Sequence, residues 1–423
     1  MNVWLLTPSG FDEFSDDLKP LIDTLRANLE RLTSTKAGEL LELLDHFGRN
    51  LLEDERTRAL EGIPYLSSWL RLSNQKDLMQ LNIQGEPAYL DGFVRRGNSY
   101  LAARPHGLAC MWMAGNVGTL PLYSLVPALL AKNVCLVKLA YPDPDGLDSI
   151  LAVLSETEAT GVSGKDISTC FSLVWFDYRN RALSTEMSIA ADIKIAWGGS
   201  DAVRGITALP RMEHCPEIVF GPKYSLGIIG RKLMDNAKAL ETAVAAFVRD
   251  INAFDQRACS SPQTIFFERN ENHSLKDVGR MFAKHLTALP PKTALDAYTT
   301  LSIMNARAEW ALRKDRDVLS SEDGANWTVC MDREVSLKEA VQSRTLFLTE
   351  VGSWKEIIPL VTHKVQTIGI AFHDPSDALS FSEQATLAGA VRCVRPGLMN
   401  AHESPWDGKL LLNELVRWVT IKP

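Results

Sequence analysis

Leu108-Ala109-Cys110-Met111-Trp112-Met113-Ala114, then a helix-compatible span over 120–131, then Val134-Cys135-Leu136-Val137-Lys138-Leu139 form the segment on which the fold turns. Two short apolar runs separated by one helix length predict a β-α-β unit and hence a parallel sheet. Working outward, further strands are expected at 172–176, 193–196 and 217–220, with a helix over 237–251. These elements define a cofactor-sized α/β domain over residues 91–254.

A second alternating region follows, with a strand at 264–267, a helix over 274–289 and a strand at 365–372. It is assigned to residues 255–400, and 401–423 is a C-terminal segment expected to contain a helix followed by a strand. Upstream, Leu18, Leu21, Ile22, Leu25, Leu29 and Leu32, then Leu40, Leu41 and Leu44, recur with helical period among charged residues. Residues 1–90 therefore read as a helical N-terminal region. Arg95-Arg96-Gly97-Asn98 reads as a hairpin turn. No repeat or long linker separates the domains, so close packing between them is expected.

With 46% hydrophobic and 23% charged residues over 423 positions, the chain has a globular composition. A net charge of -7 with scattered basic residues argues against a nucleic-acid partner. The N-terminus lacks a basic leader, and no apolar run reaches membrane-spanning length. A cytoplasmic protein without membrane insertion is expected. The seven cysteines form no C-x-x-C pair and the eight histidines no H-x-x-x-H pair, so neither a disulfide framework nor a metal site is expected.

Among the cysteines, Cys259 stands apart in Asp255-Gln256-Arg257-Ala258-Cys259-Ser260-Ser261-Pro262-Gln263, a polar loop just before an apolar run. A thiolate there could act as a nucleophile, with Arg257 or a helix N-terminus lowering its pKa; the alternative is a structural loop cysteine. Asn116, between a strand and a helix in Ala114-Gly115-Asn116-Val117-Gly118-Thr119, could donate to an oxyanion or simply cap the helix. Lys138 ends its strand, placed either to meet a ribose or phosphate or to lie solvated at the surface. Gly198-Gly199-Ser200 follows a strand and opens a helix, a turn whose backbone N–H groups could face a pyrophosphate. G-x-G-x-x-G and the P-loop pattern are both missing.

The order of these features resembles the aldehyde dehydrogenase superfamily: an Asn loop, a strand ending in Lys, a Gly-Ser turn, a Gly-Pro-Lys segment and a Cys loop. A narrower resemblance is carried by Gln256-Arg257-Ala258-Cys259-Ser260-Ser261-Pro262-Gln263, by Ala114-Gly115-Asn116-Val117 with Pro121-Leu122-Tyr123-Ser124, and by Trp406-Asp407-Gly408 with Leu415-Val416-Arg417-Trp418. These look like the LuxC-type acyl-CoA reductases, the fatty acid reductases of bacterial luminescence.

The resemblance implies an α/β fold of the aldehyde dehydrogenase type, with two Rossmann-like domains and the helical N-terminal region. It implies Cys259 as nucleophile, Asn116 as oxyanion donor, Lys138 at the ribose or 2'-phosphate, and Gly198, Gly199 and Ser200 beside the pyrophosphate. Two departures stand out. Leu139 replaces the proline after Lys138, and Glu217-Ile218-Val219-Phe220-Gly221-Pro222-Lys223 puts Val219 where hydrolytic members carry a general-base glutamate. A ribose-binding glutamate would be sought at Glu350 or Glu356.

The expected activity is reduction of an acyl thioester, acyl-CoA or another, to an aldehyde with NADPH, NADH being the other usable cofactor, through an acyl group carried on Cys259. A homo-oligomer and an acyl-transferring protein partner fit the same family. The rivals are an aldehyde dehydrogenase, an acyl-phosphate reductase, and an inactive scaffold subunit for an acyl-transfer partner.

Overall fold

The strands Leu108–Trp112, Val134–Lys138 and Ile193–Trp197 are buried along their whole length, as parallel strands covered by helices on both faces must be. They sit in a seven-stranded sheet ordered Glu217–Phe220, Ile193–Trp197, Leu108–Trp112, Val134–Lys138, Phe171–Trp175, Val3–Thr7, Gly10–Ser15. The members from Glu217–Phe220 to Phe171–Trp175 run parallel, and Val3–Thr7 is antiparallel to both of its neighbours. Within the parallel part the chain starts at Leu108–Trp112, winds outward to one edge, and returns to build the other side. That is a doubly wound order, with its switch point between Leu108–Trp112 and Ile193–Trp197.

The computed structural model describes residues 3–142, 146–292 and 295–423. The chain divides into two units, Met1–Pro222 with His402–Pro423, and Lys223–Ala401. The division thus falls after Pro222 and not after residue 254. Tyr224–Ile229 pairs with Pro262–Glu268 and with Val365–Ala371, so it opens the second sheet. Gly221-Pro222, a pair that breaks both strand and helix, marks the passage.

In the second unit, seven strands are ordered Asp317–Ser320, Thr328–Asp332, Thr345–Val351, Pro262–Glu268, Tyr224–Ile229, Val365–Ala371, Arg392–Val394. All but the edge strand Asp317–Ser320 run parallel. Pro262–Glu268 is buried at every residue.

The N-terminal region is helical from residue 19 onward, and Ala37–Glu53 buries Leu40, Leu41, Leu44, Phe47 and Leu51 along one stripe. These side chains share one core with the first sheet. Residues 3–15 depart from the helical expectation. Val3–Thr7 pairs antiparallel with Phe171–Trp175, placing Trp4 opposite Trp175. A short apolar run carries too little periodicity to separate strand from helix.

The expected hairpin is present as Val94–Arg96 and Ser99–Pro105, with Gly97 at φ +59° in the turn, where a Cβ would be strained. The chain end contributes the short helix Leu411–Glu414 and the strand Val416–Ile421, which pairs with Ser99–Pro105. The C-terminal segment therefore closes the first unit's small sheet. No helix among the described residues is long and apolar enough to cross a membrane.

Candidate active site

In the second unit, Cys259 lies between the helix Ala237–Asn252 and the strand Pro262–Glu268. It is the exposed cysteine; Cys110, Cys135, Cys170, Cys215 and Cys330 are buried and Cys393 is half-buried. Burial pushes all six of those thiols up, Cys330 to about 12, so their thiolates are scarce at neutral pH. Solvent access thus separates Cys259 from the rest.

The backbone beneath it is braced from several sides. Ser225 Oγ donates to the Cys259 carbonyl at 2.6 Å and accepts the Thr367 N–H at 3.1 Å. Gln256, fully buried, donates to the carbonyls of Pro262 and Thr345 and accepts the Thr345 N–H. Phe254, Asp255 and Gln256 are consecutive residues at positive φ, and so are Gln342, Ser343 and Arg344. Each non-glycine residue held there costs on the order of 1–2 kcal/mol, so such a run persists only where contacts over-determine it. Those contacts are present: the two runs clasp through Ser343 N–H to the Asp255 carbonyl at 3.0 Å, Ser343 Oγ to the Asp255 carboxylate at 2.8 Å, and Lys292 Nζ to Asp255 at 2.6 Å. Arg257 Nε donates to the Phe254 carbonyl at 3.4 Å.

In the first unit, the carboxyl ends of the strands around the switch point open into a cavity of about 600 Å³. Trp112, Lys138 and Trp197, each the last residue of its strand, line it together with Tyr178, Arg179 and Arg181. Ligands of doubly wound sheets bind at this place in the topology. The far wall is the helix Ser200–Thr207, through Asp201, Ala202, Gly205 and Ile206. Gly198 and Gly199 make the turn into that helix, with Gly199 as its N-cap, so its first N–H groups have no intrahelical acceptor.

Lys138 is 7% exposed, which overturns the solvated-surface alternative. Its Nζ lies 5.0 Å from the centre of the Phe176 ring and donates to the Leu139 carbonyl at 3.3 Å. Burial pushes its pKa down to about 8, with Asp177 opposing. A desolvated cation in a crevice this size fits the phosphates or ribose of a dinucleotide.

Asn116 sits half-buried in the loop after Leu108–Trp112. The following helix, Leu120–Leu130, has Thr119 as its N-cap and no side-chain cap bond, so Asn116 is not the cap residue. Neighbouring Gly115 has a backbone reason, since a Cβ there would meet the Tyr141 ring at 2.2 Å and the Ala140 Cβ at 2.9 Å.

Three further motif residues, Tyr123, Ser124 and Trp406, make packing or hydrogen-bond contacts. Ser124 Oγ accepts the Trp197 indole N–H at 2.9 Å, tying the Asn loop's helix to the strand before the Gly-Gly-Ser turn. Tyr123 packs on His402, and His402 on Trp406, each at 4.3 Å between ring centres. Glu217 pairs with buried Lys194 at 3.0 Å.

Glu350 lies far along the sheet from Cys259, and Glu356 sits at a helix end. Glu350 pairs with Phe267, at the far end of the strand that begins three residues after Cys259, and is held by Arg269 and Arg333 at 3.1 Å each. Five residues of strand put it about 17 Å along the sheet from Pro262. Glu356 accepts the Ser353 N–H and caps a short helix.

Sequence reasoning missed Tyr178, Arg179 and Arg181, which enter the cavity from the loop after Phe171–Trp175. The signal was a basic and aromatic cluster at the carboxyl end of a parallel strand.

Two doubly wound units, one with a crevice of about 600 Å³ at its switch point and the other with a braced, exposed cysteine, have the architecture of the aldehyde dehydrogenase fold. Solved structures agree on the fold. Aldehyde dehydrogenase C of Pseudomonas syringae, complexed with NAD+ and octanal, superposes with a TM-score of 0.67 at 14% identity, covering 100% of this chain and 93% of that one. Glyceraldehyde-3-phosphate dehydrogenase of Methanocaldococcus jannaschii, complexed with NADP, gives 0.67 at 12% identity over 100% and 98%.

The acyl-CoA reductase (LuxC) family matches residues 32–418, and the chain belongs to that family. Curated relatives include the long-chain acyl-protein thioester reductases of Aliivibrio fischeri, 27% identical over 78% of this chain and 67% of that protein, and of Vibrio harveyi, 24% identical over 96% and 87%. The protein is an aldehyde-forming acyl reductase.

Proposed function

We propose that the protein reduces a long-chain acyl thioester, presented on coenzyme A or on a protein thiol, to the aldehyde with NADPH. The observation that carries this reading is Cys259, solvent-exposed on a loop whose backbone is fixed on all sides while the other six thiols are suppressed by burial. The Cys259 thiolate attacks the thioester carbonyl, and Asn116 with the Cys259 backbone N–H stabilises the oxyanion. The old carbon–sulfur bond breaks, the donor thiolate leaves, and the acyl group remains on Cys259. Nicotinamide, when bound, supplies hydride to the acyl carbon. The resulting thiohemiacetal oxyanion on Cys259 is held by the same donors; as it collapses the carbon–sulfur bond breaks, and the Cys259 thiolate is returned as the aldehyde departs. The family and the relatives' names support the acyl thioester as substrate.

Lys138, Arg179 and Arg181 hold the dinucleotide, with the turn at Gly198, Gly199 and Ser200 beside its pyrophosphate. Three cations face one carboxylate in the cavity, and that carboxylate, Asp201, already pairs with Arg204 at 3.5 Å. This balance favours the extra phosphate of NADPH over NADH. The test is aldehyde formation from long-chain acyl-CoA with each reduced dinucleotide. Arg179→Ala is expected to raise the KM for NADPH more than that for NADH. Equal changes, or faster turnover with NADH in the parent protein, would remove the 2'-phosphate assignment.

Lys138 adds a pH signature. Its folded pKa, about 8, is below the ordinary lysine value, so the unfolded chain binds that proton more tightly. Between about 8 and 10.5 the free folded protein has lost charge at Lys138, and its stability rises with pH over that window. A bound phosphate favours the ammonium, so binding takes up a proton there. Dinucleotide affinity is therefore flat below about pH 7 and weakens by up to about tenfold per unit above about 8. Titration calorimetry in buffers of different ionisation enthalpy reads the uptake, and Lys138→Met is expected to abolish both the uptake and the slope.

A further inference from the structure

The two residues after Cys259 differ from it in burial: Ser260 and Ser261 are both inside the protein. Their hydroxyls donate to one atom, the Asn400 Oδ1, at 2.8 and 3.1 Å. A carbonyl oxygen has two lone pairs, and both are used here. The Asn400 amide nitrogen donates to the Asp250 carbonyl at 2.9 Å. That carbonyl lies in the last turn of the helix Ala237–Asn252, where it has no partner within the helix.

The same helix end grips the Asn400 segment a second time. The Asp250 carboxylate, fully buried, accepts the N–H groups of Gly397 at 2.5 Å and Met399 at 3.2 Å. A rigid helix end therefore fixes the loop 397–400, and Asn400 passes that constraint to the residues that follow Cys259. We propose that Asn400 is a positioning residue for Cys259, setting the direction of its thiol and of the backbone N–H groups around it so that the thiolate meets the face of the acyl carbonyl. The proposal rests on Cys259 being the nucleophile.

This role differs from simple stabilisation, because the serines are the direct chain continuation of the nucleophile. A geometric error of about 1 Å at a reacting group can cost on the order of 100-fold in rate. Loss of Asn400 is transmitted to Cys259 through two residues or fewer. The dinucleotide cavity belongs to the other unit and serves as an internal control.

The test uses the full chain without cofactor. Acyl transfer from long-chain acyl-CoA to Cys259 is timed by intact-protein mass spectrometry, alkylation of Cys259 by iodoacetamide is timed in parallel, and NADPH affinity is measured separately. Asn400→Ala and the double variant Ser260→Ala with Ser261→Ala are compared with the parent protein. The double variant removes the same contacts without opening a hole at Asn400, and keeps the test open if Asn400→Ala fails to fold. Acylation is expected to slow by about 10- to 100-fold, with NADPH affinity within about twofold of the parent value. Folded variants that acylate at the parental rate would overturn the proposal, even with a lowered Tm. A parent protein that shows no acyl adduct on Cys259 would instead overturn the nucleophile assignment itself.

Discussion

Cys259→Ala is expected to lower aldehyde formation by at least about 10⁴-fold, the scale of losing a nucleophile that acts with its surroundings as a unit, with NADPH affinity unchanged. Cys259 is exposed, so little effect on stability is expected from removing its sulfur. Ser225, Gln256, Ser260 and Ser261 hold the loop through groups the substitution does not touch. The measurement is steady-state aldehyde production alongside fluorescence titration with NADPH. Turnover within a hundredfold of the parent protein would remove Cys259 from the mechanism.

Asn116→Ala comes second, with an expected loss of about 10²- to 10³-fold in kcat, the usual cost of one missing oxyanion donor. The competing structural role is weakened because Thr119, not Asn116, occupies the helix N-cap position. A fall in kcat with the thioester KM and Tm nearly constant supports the oxyanion role. A change confined to Tm returns Asn116 to loop structure.

The parallel sheet was legible because strands buried on both faces must be continuous apolar runs, and 108–112, 134–138 and 193–197 are such runs. Lys138 was legible as a residue but not as an environment: a lysine ending an apolar strand reads alike whether solvated or enclosed, and the ring of Phe176 decides which. The passage between units was misplaced by 32 residues, since Tyr224–Ile229 has the same composition whichever sheet it joins. Cys259 stood out through its polar flanks. Its supports did not, because Asn400 lies 140 positions beyond Ser260 and nothing local to either residue announces the other. The arginines at 179 and 181 escaped for a related reason, their loop acquiring meaning only when the third strand is laid beside Lys138.

Glu217 bears on direction of reaction. The resemblance to hydrolytic aldehyde dehydrogenases puts a general-base glutamate in this segment, and here Val219 is apolar while Glu217 is paired with Lys194. The acyl group on Cys259 should persist until hydride or a thiol arrives, which suits a reductase and not an acid-forming dehydrogenase.

The most direct measurement is intact-protein mass spectrometry of the parent chain with long-chain acyl-CoA, first without cofactor and then after NADPH is added. A single acyl adduct is expected, located on Cys259 by peptide mapping, that survives for minutes in buffer and disappears with stoichiometric release of aldehyde when NADPH is supplied. An adduct on another residue, or one that hydrolyses to free acid before NADPH arrives, would contradict this mechanism.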